Sequence, residues 1–257
     1  MFSRRRGVTV KTAEEIEKMR RAGRIVALVL EELGLMCEPG LPTSEFDRRA
    51  AEIAETNGAR MAFLGYRGFP ANVCVSINEE VVHGIPGPRR LREGDIVSID
   101  VGVELEGYFG DAAATFPVGH VSSEAARIME TTRQALQIAI RHVKPGVRLS
   151  QLAAAIQAFA ESNGYSVVKD YVGHGIGRSL HEEPRVPNYV DNSLLRADLV
   201  FVPGITIAIE PMLTAGTDRV VRLADGWTVV TADRRLSAHF EHTVAVTEAD
   251  PAVLTAP

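Results

Sequence analysis

Four carboxylates stand in settings that an unpaired charge avoids. Asp100 follows Asp-Ile-Val-Ser-Ile, and Asp111 precedes Ala-Ala-Ala-Thr-Phe. Glu210 follows Ile-Thr-Ile-Ala-Ile, and Glu241 precedes His-Thr-Val-Ala-Val. Each flank predicts a half-buried or buried β-strand. An ionised carboxylate that leaves water without a partner costs on the order of several kcal/mol. A nearby arginine accounts for one such acid. Four of them, with Gly173-His174-Gly175-Ile176-Gly177 between the pairs, point to a shared cation.

The first pair has a readable geometry. A two-residue hairpin turn at Glu106-Gly107 sets Asp100 opposite Ala113 and Asp111 opposite Gly102. Side chains alternate faces along a strand, so both aspartates point the same way, as diagonal neighbours roughly 7–8 Å apart. A pair of surface turn acids is the competing account, and Ile96, Val97, Ile99 and Val101 weigh against it. With Glu210, Glu241 and one imidazole, the set carries more charge than a single divalent ion needs. It suits two ions roughly 3.5–4 Å apart that share bridging acids and activate a water. Carboxylate and imidazole donors fit Mg, Mn, Fe, Co or Zn, and the thiolate sets of structural zinc sites are absent.

His174 is the candidate imidazole ligand, because its flanking glycines allow close backbone approach. His83 and His181 are candidates to hydrogen-bond a substrate and steady a developing oxyanion, with a structural role as the alternative. His120, His142 and His239 read as structural or surface residues, although His239 shares the strand face of Glu241. Cys74, in Asn-Val-Cys-Val-Ser-Ile-Asn, reads as a buried wall residue rather than a nucleophile. Tyr66 and Phe69 sit in a glycine-punctuated loop and Trp227 follows an Asp-Gly turn. Pocket lining and plain packing (for Trp227, solvent exposure) are both open to these three.

The elements that must position these residues follow from capping and punctuation. Thr12 with Glu15 is a capping box that opens a helix near Ala13, running to about Leu35. A second helix follows Ser44 and stops at Asn57-Gly58. Strands and hairpins fill 72–118, with turns at Pro86-Gly87-Pro88 and Glu106-Gly107. Ser122 or Ser123 caps a third helix that ends before Pro145-Gly146. A fourth begins after Leu149-Ser150 and stops at Asn163-Gly164. Strands fill the rest, from Tyr165 to Val246.

Two stretches echo each other. Pro39-Gly40-Leu41 opens a segment ending Ala-Glu-Thr-Asn57-Gly58, and Pro145-Gly146-Val147 opens one ending Ala-Glu-Ser-Asn163-Gly164. The offset is constant, since 145 minus 39 and 163 minus 57 both give 106. His83-Gly84-Ile85 echoes His174-Gly175-Ile176 at a shorter offset. Helix-cap grammar alone is the competing account. Duplication makes residues 1–257 a single α/β domain of two pseudo-repeats, roughly 13–118 and 122–248, with a site at their junction.

Taken together, Cys74-Val-Ser-Ile-Asn78 with Val82-His83-Gly84-Ile85-Pro86, Asp100, Asp111, Gly173-His-Gly-Ile-Gly-Arg178 with His181-Glu-Glu-Pro184, Ile209-Glu210-Pro211-Met212 and Ser237-Ala-His-Phe-Glu241-His242-Thr243 resemble the type I methionine aminopeptidases of the M24 metallopeptidases. The resemblance covers about residues 8–248. It implies the pita-bread fold, an antiparallel sheet of two related halves with helices outside and a dinuclear site inside. It implies Asp100, Asp111, His174, Glu210 and Glu241 as metal ligands, with Asp111 and Glu241 bridging and Glu210 also moving a proton. It implies that His83 assists at the scissile amide and that His181 contacts the substrate carbonyl. Tyr66, Phe69, Cys74 and Trp227 would form the methionine side-chain pocket. The implied cofactors are two divalent ions (Co, Mn, Fe or Zn) and, as an option, a monovalent cation. The implied substrates are nascent polypeptides whose initiator methionine precedes a small residue, met by a cytoplasmic monomer, with the ribosome as an optional partner and no membrane. Three residues depart from the usual family pattern: Leu180 for phenylalanine, Phe63 for cysteine and His239 for glutamine. They bear on specificity rather than on reaction class.

Totals agree. The chain has 257 residues, 46% hydrophobic and 24% charged, and a net charge of -5, so it carries no overall nucleic-acid footprint. Arg4-Arg5-Arg6 lacks a following apolar core, which argues against a signal peptide and suits a solvated terminus; ribosomal RNA is the alternative partner. Two distant cysteines, Cys37 and Cys74, fit a reducing compartment. An X-Pro peptidase or creatinase-like hydrolase is a second reading, and a catalytically dead binding domain of the same fold a third. The first normally carries a further N-terminal domain, and the second would be expected to lose metal ligands.

Overall fold

The structure, a computed structural model, describes residues 7–257; Arg4-Arg5-Arg6 lies outside the described residues. Among the described residues the strands form four antiparallel sheets, and long helices pack on several of them. Helix α1 (Ala13–Leu35) begins at the expected capping box: Thr12 Oγ1 accepts from the Glu15 amide at 3.2 Å, and Glu15 Oε2 accepts from the Thr12 amide at 2.9 Å. Helices α2 (Ser44–Thr56) and α4 (Leu149–Ser162) both start earlier than their serines suggest. Ser44 opens α2 behind Thr43, and Ser150 sits inside α4, where its hydroxyl donates to Asp198 Oδ2 at 2.7 Å. Helix α3 (Ser123–Arg141) is capped by Ser122, whose Oγ accepts from the Ala125 amide at 3.1 Å.

One helix falls where only strands were expected. Helix α5 (Asn192–Arg196) is capped by Asp191, whose Oδ1 accepts from the Leu194 amide at 2.7 Å. The Asp-Asn-Ser run is a helix start with too short a periodic segment behind it to register as one.

The hairpin of strands Ile96–Leu105 and Tyr108–Pro117 has the expected register, Asp100 facing Ala113 and Gly102 facing Asp111. Glu106 and Gly107 both have positive φ, 52° and 76°, the mirror-image turn that matches strand twist. Helix α1 packs on this hairpin and α2 packs on α1 and the strand Arg60–Met61, all in one apolar cluster that includes Val26, Leu33, Phe46, Val97 and Val101. Helices α3 and α4 pack against the second set of strands through Ile128, Leu136, Leu152, Ile156, Ile207 and Val244. A third apolar cluster gathers Phe63, Phe69, Cys74, Ile176 and Leu180.

The echoed segments adopt matching geometry. The Gly40 amide donates to Leu91 O (2.8 Å) and the Gly146 amide to Phe201 O (3.0 Å). The Leu91 amide donates to Leu41 O, and the Phe201 amide to Val147 O, both at 2.9 Å. Asn57 and Asn163 each close a helix with a side-chain amide donating four residues back, to Ile53 O and Phe159 O, both at 2.8 Å.

A seam joins the halves along Tyr108–Pro117. The Asp111 amide donates to Thr243 Oγ1 at 3.0 Å, and the Glu241 amide to Ala113 O at 2.8 Å. Thr115 Oγ1 accepts from the His239 amide (3.0 Å) and donates to His239 O (2.8 Å). Steps of two on one strand meet steps of two on the other, as in an antiparallel pair.

Candidate metal centre

The four acids converge from this seam. Asp100 and Asp111 come from the hairpin. Glu210 directly follows the strand Thr206–Ile209, and Glu241 directly precedes the strand His242–Ala245. These two strands pair with His242 opposite Ile209, so the glutamates face each other just beyond the ladder. Each chain then enters a second sheet, where Met212 pairs with His239. The glutamates therefore occupy breaks between sheets rather than strand interiors. In those breaks a carboxylate can leave the pleat and turn inward.

His174 is held by the strand Gly173–Gly175, which pairs with Ala208 and Ile207. A Cβ at position 173 would come within 2.3 Å of Ala208 O, and one at 175 within 2.2 Å of Glu183 O. The flanking glycines thus allow the neighbouring strands to approach His174 from both sides. Its Nδ1 lies 2.9 Å from Gly175 O, which makes Nδ1 the protonated nitrogen and leaves the Nε2 lone pair free. Nε2 is 3.7 Å from Asp111 Oδ2 and 3.8 Å from Glu210 Oε1. Asp111, His174 and Glu241 are buried, and each offers a donor atom within 4.8 Å of the other two.

The electrostatics are those of a site lacking its counter-charge. Buried Asp100 Oδ1, Asp111 Oδ1 and Glu241 Oε1 have no hydrogen-bond partner. Burial pushes the Asp100 carboxyl up to about 7. Burial, then the charge of Asp100, pushes Glu210 up to about 8. Asp111 and Glu241 are raised well above the carboxylate range by burial and then by the other acids. Desolvation holds His174 down near 4, so its ring is neutral and able to ligate. Orphaned oxygens, a free imidazole nitrogen and mutually repelling acids fit divalent cations of the oxygen- and nitrogen-binding kind. No arginine or lysine forms an ion pair with these acids among the described residues.

Every other expected site residue lines the same cavity of about 150 Å³. Its polar end is the acid cluster. Its apolar end is formed by Phe63, Tyr66, Phe69, Cys74, Leu180 and Trp227. His181 stands between the ends, with its ring 4.0 Å from His174 and stacked 5.3 Å from Tyr66. Trp227 meets Phe69 edge-on at 5.1 Å. Cys74 is buried opposite Asp100 on the adjoining strand, and desolvation raises its thiol, so it is a wall rather than a nucleophile. Cys37 and Cys74 are both free thiols.

His83 holds a left-handed backbone, φ 60°, which costs roughly 1–2 kcal/mol for a side chain with a Cβ. The neighbouring Gly84 compensates, its amide donating to Ser76 Oγ (3.2 Å) and its carbonyl accepting from the Val75 amide (2.8 Å). This places the His83 ring edge-on to Trp227 and Tyr171. The cavity opens past His83 and His181 into a groove flanked by Arg67, Tyr171 and Arg222.

Sequence reasoning missed Asn188, fully buried, whose Nδ2 donates to Glu210 O at 3.0 Å and so holds the break that carries Glu210. Nothing in its local sequence signals this. His239, expected to be structural or at the surface, is buried against Glu210 and Glu241. Its shared face with Glu241 was the available signal.

A carboxylate and imidazole cluster at the end of an apolar cavity defines a metal-dependent hydrolytic centre, and the likeness to known proteins agrees. Residues 17–248 match metallopeptidase family M24, and the chain belongs to that family. It is 48% identical to methionine aminopeptidase 1 of Bacillus subtilis over 249 residues, 96% of this chain and 99% of that protein. It is 46% identical to the methionine aminopeptidase of Escherichia coli K12, over 96% and 94% of the two chains. The crystal structure of methionine aminopeptidase from Thermotoga maritima superposes with a TM-score of 0.94 at 44% identity, covering 97% of this chain and all of that one. Prolidase from Pyrococcus furiosus, 24% identical, shares the fold with a TM-score of 0.75, over 96% of this chain and 65% of its own. The architecture is the pita-bread fold.

Proposed function

We propose that the protein removes the N-terminal methionine from newly made proteins and peptides whose second residue is small. The observation that carries this is a single cavity with an apolar, sulfur- and aromatic-lined end and a carboxylate end. A thioether side chain suits the first, and amide hydrolysis suits the second. Asp100, Asp111, His174, Glu210 and Glu241 would hold two divalent ions, of Co, Mn, Fe or Zn, with Asp111 and Glu241 shared. When bound, such ions polarise a carbonyl and bring a water's pKa near neutrality.

The chain's own residues do the rest. Phe69, Cys74, Tyr66 and Trp227 receive the methionine side chain and fix the scissile amide against the acids. Desolvation keeps His181 and His83 neutral, near 3 and 4, so each acts as a hydrogen-bond donor. His181 steadies the carbonyl oxygen as it gains charge, and His83 serves the amide nitrogen. Glu210 accepts a proton from the attacking water and delivers it to the leaving amine.

The same reading treats the chain as one domain of two pseudo-repeats, roughly 13–118 and 122–248, supported by the matched helix ends and the seam. It takes the protein as a cytoplasmic monomer that acts on nascent chains, with ribosome contact and a monovalent cation as optional additions. Among the described residues no helix is long and apolar enough to cross a membrane.

The test is purified protein on Met-Gly-Met, Leu-Gly-Gly and Gly-Pro, stripped with EDTA and then given Mn, Fe, Co or Zn. Methionine release that needs added metal is expected. Cleavage of Gly-Pro in its place, or no metal-dependent methionine release with any ion, overturns the reading.

A further inference from the structure

We propose that His239 is a second nitrogen ligand of the metal centre, donating through Nε2 beside Glu210 and Glu241. The ring is 2% exposed, and its Nε2 is buried without a hydrogen-bond partner. That atom lies 3.9 Å from Glu210 Oε2 and 3.9 Å from Glu241 Oε2. This is too far for a hydrogen bond. It is close to the separation that His174 keeps from its own acids, 3.7 Å and 3.8 Å. Two donors that each approach one ion to roughly 2.0–2.2 Å stand at most about 4.3 Å apart. Pair by pair, His239 stands within that reach of Glu210 and of Glu241, as His174 does of Asp111 and Glu210, while the three donors that all lie within 4.8 Å of one another are those of Asp111, His174 and Glu241.

The arrangement is two-sided. Glu210 presents Oε1 to His174 and Oε2 to His239, so its carboxylate lies between two imidazoles. The His239 ring is not a loose surface side chain. Its amide donates to Thr115 Oγ1 and its carbonyl accepts from the same hydroxyl, at 3.0 Å and 2.8 Å. The strand that carries it leads directly to Glu241. A buried imidazole nitrogen with no partner is costly unless a group outside the chain satisfies it. The same cation that the orphaned oxygens of Asp111 and Glu241 require would do so.

The consequence concerns metal preference. A second imidazole moves the donor set away from the all-oxygen character that Mn and Mg accept, toward Fe, Co and Zn. The inference rests on the metal-centre reading above, and its test separates the two.

Metal-free protein is loaded with Co²⁺, and its proton spectrum is recorded in water. Each coordinated imidazole gives one exchangeable, strongly shifted N–H signal. Two signals are expected, one of which disappears in His239→Gln, a replacement of similar reach whose folding is checked by circular dichroism. A single signal that persists in His239→Gln overturns the proposal and leaves the metal centre standing. No shifted signal at all overturns both. Chelator competition gives a second readout. His239→Gln should weaken Zn²⁺ binding at least about 10-fold, the lower end of what outer partners cost, and weaken Mn²⁺ binding less. Equal affinities in the two proteins for both ions overturn the proposal.

Discussion

The hydroxyl of Thr243 holds the backbone of Asp111 from both sides. Thr243 Oγ1 accepts from the Asp111 amide at 3.0 Å and donates to the Asp111 carbonyl at 2.8 Å. Thr243 is fully buried and lies two residues beyond Glu241. One side chain thus sets the spacing between an acid of the first half and an acid of the second. The centre is held at the seam where the two halves meet.

Thr243→Val removes that hydroxyl with little change of shape. It leaves a buried amide and a buried carbonyl unsatisfied, which costs roughly 2–4 kcal/mol. Denaturant unfolding should show a loss of that size in the metal-free protein, with weaker divalent binding alongside. An unchanged midpoint and unchanged affinity would show that the seam does not position the acids.

Asp111→Ala should abolish metal binding and activity, exceeding the roughly 10–100-fold that loss of an outer partner costs. The metal-free variant should be more stable than its parent at pH 8. Burial and the neighbouring acids raise the Asp111 carboxyl, so its charge is unfavourable there without a cation. Isothermal titration with Mn²⁺ and thermal melts in chelator decide both halves of the statement. Retained activity would reject the shared-cation account.

Metal-free protein should lose stability as pH rises from about 6.5 to 8.5, a window that opens at the histidine reference value and spans the folded values of Asp100 and Glu210. Asp100 and Glu210 hold their protons up to about 7 and 8 when folded, but release them near 4 when unfolded. Their contribution is therefore present at low pH and lost as pH climbs through the folded values. The buried histidines act in the opposite sense. His83, His174 and His242 are lowered to about 4, and His181 and His239 to about 3. They add stability as pH rises toward 6.5 and nothing further above it, so only the carboxylates remain in the stated window. Saturating divalent metal should reverse the slope, because the cation competes with the protons. Scanning calorimetry with and without metal is the check, and a flat metal-free profile would count against the raised carboxylates.

His181→Ala and His83→Ala should each lower kcat/KM by roughly 10²–10³, as loss of an oxyanion-type donor does. Both rings are neutral from pH 6 to 9, since burial holds them near 3 and 4. The ratio of variant to parent should therefore stay constant across that range. A ratio that changes through pH 6.5 would mean that one ring works by titrating.

Much of the centre was legible in the sequence where local rules control geometry. The Glu106-Gly107 turn sets the register of its hairpin within a dozen residues on each side, so the shared face of Asp100 and Asp111 was readable before any tertiary contact. The capping box at Thr12 and the asparagine helix ends are local for the same reason. The apolar flanks of Glu210 and Glu241 marked those acids as needing compensation. What the sequence by itself determined, then, was which acids need a compensating charge and which lie on one face. Only the tertiary structure decided how they meet. The break between sheets that turns Glu210 and Glu241 inward, the Asn188 amide that holds it, the Thr243 bridge and the placement of His239 each join residues far apart in the chain. Such contacts depend on packing two halves together, and no local periodicity or cap encodes that approach.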